Sequence, residues 1–283
     1  MTHSSAAISG LLCLVATTIA GETITIKGSD TMVRLGQRWA EEYMALNKTA
    51  VIQVTGGGTG AGVAALLNSG TDVCQASRDL SAREFELASK KRIAPLRITV
   101  ALDAVAVYLH KANPVESLSL GQLRGIYTGA ITSWRDLGGP DHRIVLYSRE
   151  NSSGTYVLFR EVVLKNHDYA PEAQTLPGTA AVINAVAHDR YGIGYGGIAW
   201  ESNVKHAMVK PTDTSAAVSP TDANVSRGEY PIARKLYWFT NGEPTGELAR
   251  LRDFVLSDTG QQIAAHAGYF PLLTNVVEKT EMK

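Results

Sequence analysis

The residues best suited to chemistry lie in the run Ser148 to Thr155, SRENSSGT, where Arg149 stands four residues ahead of a Ser-Gly-Thr turn that opens an apolar helix pattern. The first backbone N–H groups of a helix have no intrahelical partner, and the aligned peptide dipoles add partial positive charge at the same end. Such a turn is suited to an oxyanion. Ser153 and Thr155 add hydroxyl donors, Gly154 lets the main chain come close, and Arg149 offers a bidentate guanidinium fork. Two further loops repeat the design, Gly28 to Met32 (GSDTM) and Gly56 to Gly62 (GGGTGAG), each ahead of a helical pattern. Taken singly, each has a structural reading as well: Ser, Asp and Thr are preferred helix caps, and glycines make tight strand-to-helix turns. The three together point to one encircled anion.

Other chemistries find less support. Gly56, Gly58 and Ala61 fit the dinucleotide fingerprint loosely, but Val63 and Ala64 follow Gly62 where a Walker loop carries Lys and then Ser or Thr. HExxH, CxxC and GxSxG patterns are missing from the sequence. Histidines 110, 142, 167, 188, 206 and 266 are scattered without ligand spacing and read as surface or packing residues. Ser153 as a nucleophile would need a histidine base from elsewhere in the fold. No metal or cofactor is expected.

The elements that must position the loops follow from periodicity. Thr23 to Lys27 alternates like a strand, and Met32, Leu35, Trp39, Tyr43 and Leu46 recur at helical spacing. Val51 to Thr55 is a second strand feeding GGGTGAG, with a helix over Val63 to Leu67 that ends at the Asn68 to Gly70 turn. Asp72 to Ala76 is a short strand, and Ile98 to Leu109 a long one that crosses the molecule before Asn113-Pro114. Leu118 to Tyr127 reads as helix, Ile144 to Tyr147 as strand, and Tyr156 to Leu164 as the helix behind SSGT. Tyr191 to Trp200 reads as a strand with tight bends, Thr212 to Gly228 as loop, and Arg234 to Thr240 as a second strong strand. Helix is expected at Leu248 to Phe254 and Gln261 to Ala267. Alternating strands and helices imply α/β layers, and the two long strands suggest two lobes joined by two crossings.

At 283 residues the chain can bury a sizeable core. Lys plus Arg and Asp plus Glu both total 27, so the composition carries no footprint of a nucleic-acid partner. The first 20 residues lack charged side chains, and Ile8 to Ile19 is an apolar stretch too short to span a membrane. Residues 1–20 are therefore read as a secretory signal, with Thr18 and Ala20 placing cleavage before Gly21. Leu12 ahead of Cys13 argues against lipid anchoring. Cleavage leaves Cys74, a single thiol within an apolar strand, which is read as packing.

Nearly the whole mature chain resembles the periplasmic phosphate-binding proteins of ABC-type phosphate transporters. The likeness rests on KGSDTM, TGGGTGAGV, TDVCQASRDL, DAVAVYLHKANPV, LRGIYTGAITSWRDLGG, SRENSSGTYVLFRE, GIGYGGIA and GYFPL. The resemblance implies an α/β, two-lobed type II periplasmic binding fold with two strand crossings, closing on one dehydrated phosphate. It implies a first lobe of residues 21–104 plus 234–283 and a second of residues 105–233. Its ligand contacts fall on Asp30 and Thr31, on Thr59, and on Arg149, Ser153, Gly154 and Thr155, with Ser77 placed by a gapless match. Ser29 adjoins them, and Met32, Gly58 and Arg78 lie at the margins of the same loops.

The family's best-known pattern has Thr or Ser where this chain has Asp30, and a carboxylate where it has Ser77, as though the acidic group had moved between loops. Arg78, next door, has three readings: it pairs with Asp30, pairs with Asp79, or faces the anion. The implied partners are inorganic phosphate and the permease subunits of the inner membrane, and the expected assembly is a monomer. The alternatives are a binding protein for sulfate or molybdate, and a secreted phosphatase on the same scaffold.

Overall fold

The structure, a computed structural model, describes residues 23–200 and 203–272; the residues read as a secretory signal lie outside them. The chain begins with two strand-loop-helix units. β1 (Thr23–Gly28) leads through a 3-10 turn (Asp30–Met32) into α1 (Val33–Leu46), and β2 (Val51–Thr55) leads into α2 (Thr59–Leu67). β3 (Val73–Ala76), α3 (Ala82–Lys90) and the 16-residue β4 (Pro95–His110) follow. The middle of the chain holds β5 (Ser117–Ser119), α4 (Leu120–Tyr127), β6 (Val145–Arg149), α5 (Gly154–Val162), β7 (Gln174–Leu176), α6 (Gly178–His188), β8 (Gly192–Gly197), β9 (Val204–Lys210) and α7 (Asp222–Ser226). β10 (Ala233–Asn241), α8 (Gly246–Leu256) and α9 (Asp258–His266) close it.

The strands lie in the order β2-β1-β3-β10-β4-β8-β6-β7, with β9 paired to β4 and β5. β1 runs parallel to β2 and β3, and β6 parallel to β7 and β8. β4 and β10 are the antiparallel exceptions that join these parallel sets. From Pro95 to Ala104, β4 pairs with β10; from Val105 onward it pairs with β8, and from Val107 also with β9. Its length follows from serving both sets, since at about 3.3 Å per residue only an extended run of this size spans two packed lobes. The architecture is mixed α/β and two-lobed, as the sequence implies.

Each set has its own apolar core. One is built from Ile24, Leu35, Trp39, Tyr43, Val100, Trp238 and Leu251, the other from Val107, Leu109, Leu123, Tyr127, Trp134, Phe159 and Tyr195. α1 belongs to the first because its apolar positions repeat at helical spacing: Leu35, Trp39 and Tyr43 are buried on one stripe. Trp39 meets Trp238 edge-to-face, ring centroids 5.7 Å apart, and donates from its indole to Gly260 O at 2.8 Å.

Several elements differ from the sequence reading. α3 is set by a capping box in which Ser81 Oγ accepts from Glu84 N while Glu84 accepts from Ser81 N. α6, β9, β5 and β7 are also unanticipated, and the polar stretch read as loop contains α7, capped by Thr221. α2 and α5 begin at Thr59 and Gly154, inside the loops that precede their apolar periodicity. Cys74 is fully buried, and burial pushes its thiol up to about 12, as expected of a packing residue.

Because the first core is organised around the Trp39–Trp238 contact, Trp238→Ala is expected to destabilise the protein by about 3–5 kcal/mol. Equilibrium denaturant unfolding measures this; a loss under about 1 kcal/mol would show that the surrounding core closes over the cavity.

Candidate functional site

Where the two cores meet, the interior turns polar. Ser29, Thr31, Thr59, Gln75, Ser77, Asp103, Ser148, Arg149, Ser153, Thr155, Thr179 and Arg234 are all buried. Buried polar groups persist only with hydrogen-bonding partners, so this seam must be wired together.

The three loops converge on it. Ser77 N donates to Thr59 Oγ1 at 3.2 Å, and the two hydroxyls lie 3.4 Å apart. From the second lobe, the start of α5 is pressed against this pair: a methyl group at Gly154 would lie 2.5 Å from Ser77 Oγ and 2.7 Å from Thr59 Oγ1. Only glycine allows that approach. Gly58, at φ +86°, initiates α2 against Ser152, and Gly60 N donates to Ser152 O at 2.9 Å, a main-chain bond between the lobes. Thr31 Oγ1 and Thr155 Oγ1 are 3.1 Å apart. Ser153 Oγ accepts from Thr155 N and Tyr156 N, capping α5.

Arg149, at the end of β6, has a side chain 1 % exposed. It donates to Asp30 Oδ2 at 2.9 Å across the seam, to Thr179 Oγ1 at 3.0 Å and to Glu150 Oε2 at 3.4 Å. Asp30 Oδ1 in turn accepts from Gly57 N at 2.9 Å, so this one carboxylate ties the first two loops to the third. β6 itself is anchored behind the site, where Ser148 Oγ, Tyr195 Oη and Tyr169 Oη form a chain of 2.9 and 2.8 Å contacts. Burial raises the Tyr195 phenol to about 12, against the lowering effect of its bonds to Ser148 and Tyr169, so it stays protonated at neutral pH.

Ser29, Asp30, Thr31, Gly58, Thr59, Ser77, Arg149, Ser153, Gly154 and Thr155 are brought together. Met32 packs instead into the first core, fully buried beside Leu35. Of the three readings of Arg78, the two pairings are corrected: its guanidinium bonds neither Asp30 nor the Asp79 carboxylate, but forks onto Glu84 with two bonds of 2.8 Å and onto Asp79 O at 2.8 Å. Burial alone would raise the Glu84 carboxyl, yet Arg78 and Ser81 hold it below its ordinary range.

Arg234 and Asp103 were not anticipated. Arg234 opens β10 and Asp103 lies in β4, opposite it in register. Two bonds, of 2.6 and 2.9 Å, join the guanidinium to Asp103 Oδ2, with side chains 3 % and 0 % exposed. Burial pushes the Asp103 carboxyl up and Arg234 opposes this. The available signal was Asp103, a lone charge within the run Ile98 to Leu109, since a buried charge needs a partner; Arg234, followed directly by Lys235, was not marked out in the same way.

A protein-family profile described as the PBP superfamily domain matches residues 15–259. The phosphate-binding protein PstS of Pseudomonas aeruginosa is 33% identical over 270 residues, covering 89% of this chain and 84% of that protein. PstS of Bacillus subtilis is 32% identical over 257 residues, covering 89% and 82%. Among solved structures, a phosphate ABC transporter substrate-binding protein with bound phosphate from Clostridium perfringens superposes with a TM-score of 0.81 at 29% identity, covering 89% of this chain and 100% of that one. An ABC-type phosphate transport receptor from Vibrio cholerae gives 0.70 at 27%, covering 88% and 100%.

The close approach at Gly154 is testable by itself. Gly154→Ala favours the helix intrinsically but wedges the lobes apart, so small-angle X-ray scattering is expected to read a larger radius of gyration; an unchanged scattering curve would contradict the packing described.

Proposed function

The chain belongs to the PBP superfamily, among its phosphate ABC transporter substrate-binding proteins, and from that membership we propose that it binds one inorganic phosphate between its lobes and delivers it to the permease of an ATP-driven transporter. The observation that carries the reading is Arg149, buried at the seam at the end of β6, in the same loop that leads into α5. The helix end contributes oriented N–H groups and partial positive charge, and the guanidinium contributes charge-assisted bonds. Asp30, Thr31, Thr59, Ser77, Arg149, Ser153, Gly154 and Thr155 form the proposed contact set, with Ser29 and Gly58 shaping it. Met32 and Arg78 support the loops from behind.

The lobes are proposed as residues 21–104 plus 234–283 and 105–233; the change of β4 partners after Ala104 supports that division. Closure of the lobes over the ligand excludes water and presents one surface to the inner-membrane permease. No turnover is assigned: Ser153 Oγ is occupied as a helix cap, which supports a binding role over a nucleophilic one. The reading places the mature protein in the periplasm as a monomer, after removal of residues 1–20.

Selectivity is assigned to Asp30. Phosphate at neutral pH keeps a proton that sulfate lacks, so a carboxylate beside the ligand accepts a hydrogen bond from one and repels the other. Asp30 faces the seam while its own charge is held by Arg149.

Two variants test the assignment by calorimetric titration. Arg149→Ala is expected to weaken phosphate binding at least about 100-fold, the scale of losing two charge-assisted bonds, with the folded state retained by circular dichroism; near-native affinity would sink the site. Asp30→Asn is expected to admit sulfate as a competitor, and continued exclusion of sulfate would place the selectivity elsewhere.

A further inference from the structure

Arg234 touches both lobes from the strand that joins them. Besides Asp103, it donates from Nη1 to Thr155 Oγ1 at 3.0 Å and to Ser77 O at 3.3 Å, and from Nη2 to Thr31 Oγ1 at 3.2 Å. Thr31 opens the first loop and Thr155 lies in the first turn of α5. A guanidinium has donors and no acceptor, so each hydroxyl must offer it a lone pair. The two hydroxyl oxygens are 3.1 Å apart, and a single hydrogen fills the space between them. One hydroxyl hydrogen is therefore left over, and it has to point away from both arginine and partner.

We propose that Arg234 is a positioning residue which fixes the polarity of the Thr31 and Thr155 hydroxyls, turning them into a donor pole for an unprotonated oxygen of the bound oxyanion. This rests on the proposed phosphate reading for its ligand, and not for its geometry. The charge of Arg234 is compensated by Asp103, so it acts through the threonines and not by attracting the anion itself. Asp30, 2.9 Å from Arg149, is the acceptor pole. A site with one donor pole and one acceptor pole discriminates by proton placement: a singly protonated oxyanion satisfies both, whereas a fully deprotonated one satisfies only the first. Because Arg234 sits on β10 and pairs with β4, the donor pole is complete only when both lobes meet at the crossing strands.

Arg234→Lys keeps a cation beside Asp103, but one ammonium cannot reproduce the two-pronged grip on Thr31 and Thr155. Arg234→Met with Asp103→Leu removes the pair without leaving a buried charge. Titrations with inorganic phosphate and, separately, sulfate are made on wild type, on both variants, and on each in a Thr31→Val/Thr155→Val background. The expected result is a loss of at least tenfold in affinity from each change at Arg234 in the native background and less than twofold in the valine background, because the arginine works through those hydroxyls. Native affinity in either folded variant, or the same tenfold loss in the valine background, overturns the proposal. Wild type that takes sulfate and not phosphate overturns the phosphate reading instead, and the Arg234 comparison is then read on sulfate; wild type that binds neither anion overturns both.

Discussion

The Asp103–Arg234 ion pair sets the frame within which the rest of the site works. β4 and β10 each bury one charge, Asp103 and Arg234, at the point where the two lobes join. Neither charge is tolerable alone at that depth; removing one partner of such a pair typically costs about 3–5 kcal/mol. Pairing them fixes the strands opposite one another, Arg234 against Asp103 in the ladder. The loops at the ends of β1, β3 and β6 then have a defined relation across the seam. Arg234 also reaches Thr31 and Thr155, so the constraint that positions the lobes ends on two hydroxyls of the proposed site.

Around that frame, the proposed affinity comes less from net positive charge than from oriented dipoles. Arg149 is matched by Asp30 and Arg234 by Asp103, which leaves the seam close to neutral. What distinguishes it is the density of hydroxyls and the helix start at Gly154 packed against Thr59 and Ser77. Such groups are fixed in advance by the fold and need little reorganisation when an anion replaces water. The main-chain bond from Gly60 to Ser152 and the ion pair from Arg149 to Asp30 both span the lobes, so the same contacts that line the site also report closure.

The three anion loops, the long crossing strand and the alternation of strands and helices were legible in the sequence because each has a local cause: β-branched alternation, glycine turns and cap residues ahead of helical spacing. α3 was harder, since it carries no broad apolar stripe: it buries Ala88, and its boundary is set by the Ser81–Glu84 capping box. β9 alternates only weakly, and its place depends on pairing with β4, a contact about 100 residues distant that no local pattern encodes. Arg78 illustrates the limit of reading a neighbourhood from a sequence: it adjoins Ser77 in the chain, but its guanidinium is drawn away by Glu84, six residues on, across the turn into α3. Arg234 lies 79 residues beyond Thr155, where the last of the three loops ends, and joins the seam only because β10 returns to the sheet beside β4.

The central claim is that a seam of paired charges and hydroxyls holds one dehydrated, singly protonated oxyanion. Isothermal titration of the full chain with inorganic phosphate at neutral pH, repeated with sulfate in excess, tests it most directly. Saturation at one phosphate per chain, unaffected by the sulfate, is the predicted result; no phosphate binding, or phosphate displaced by sulfate in simple competition, would contradict it.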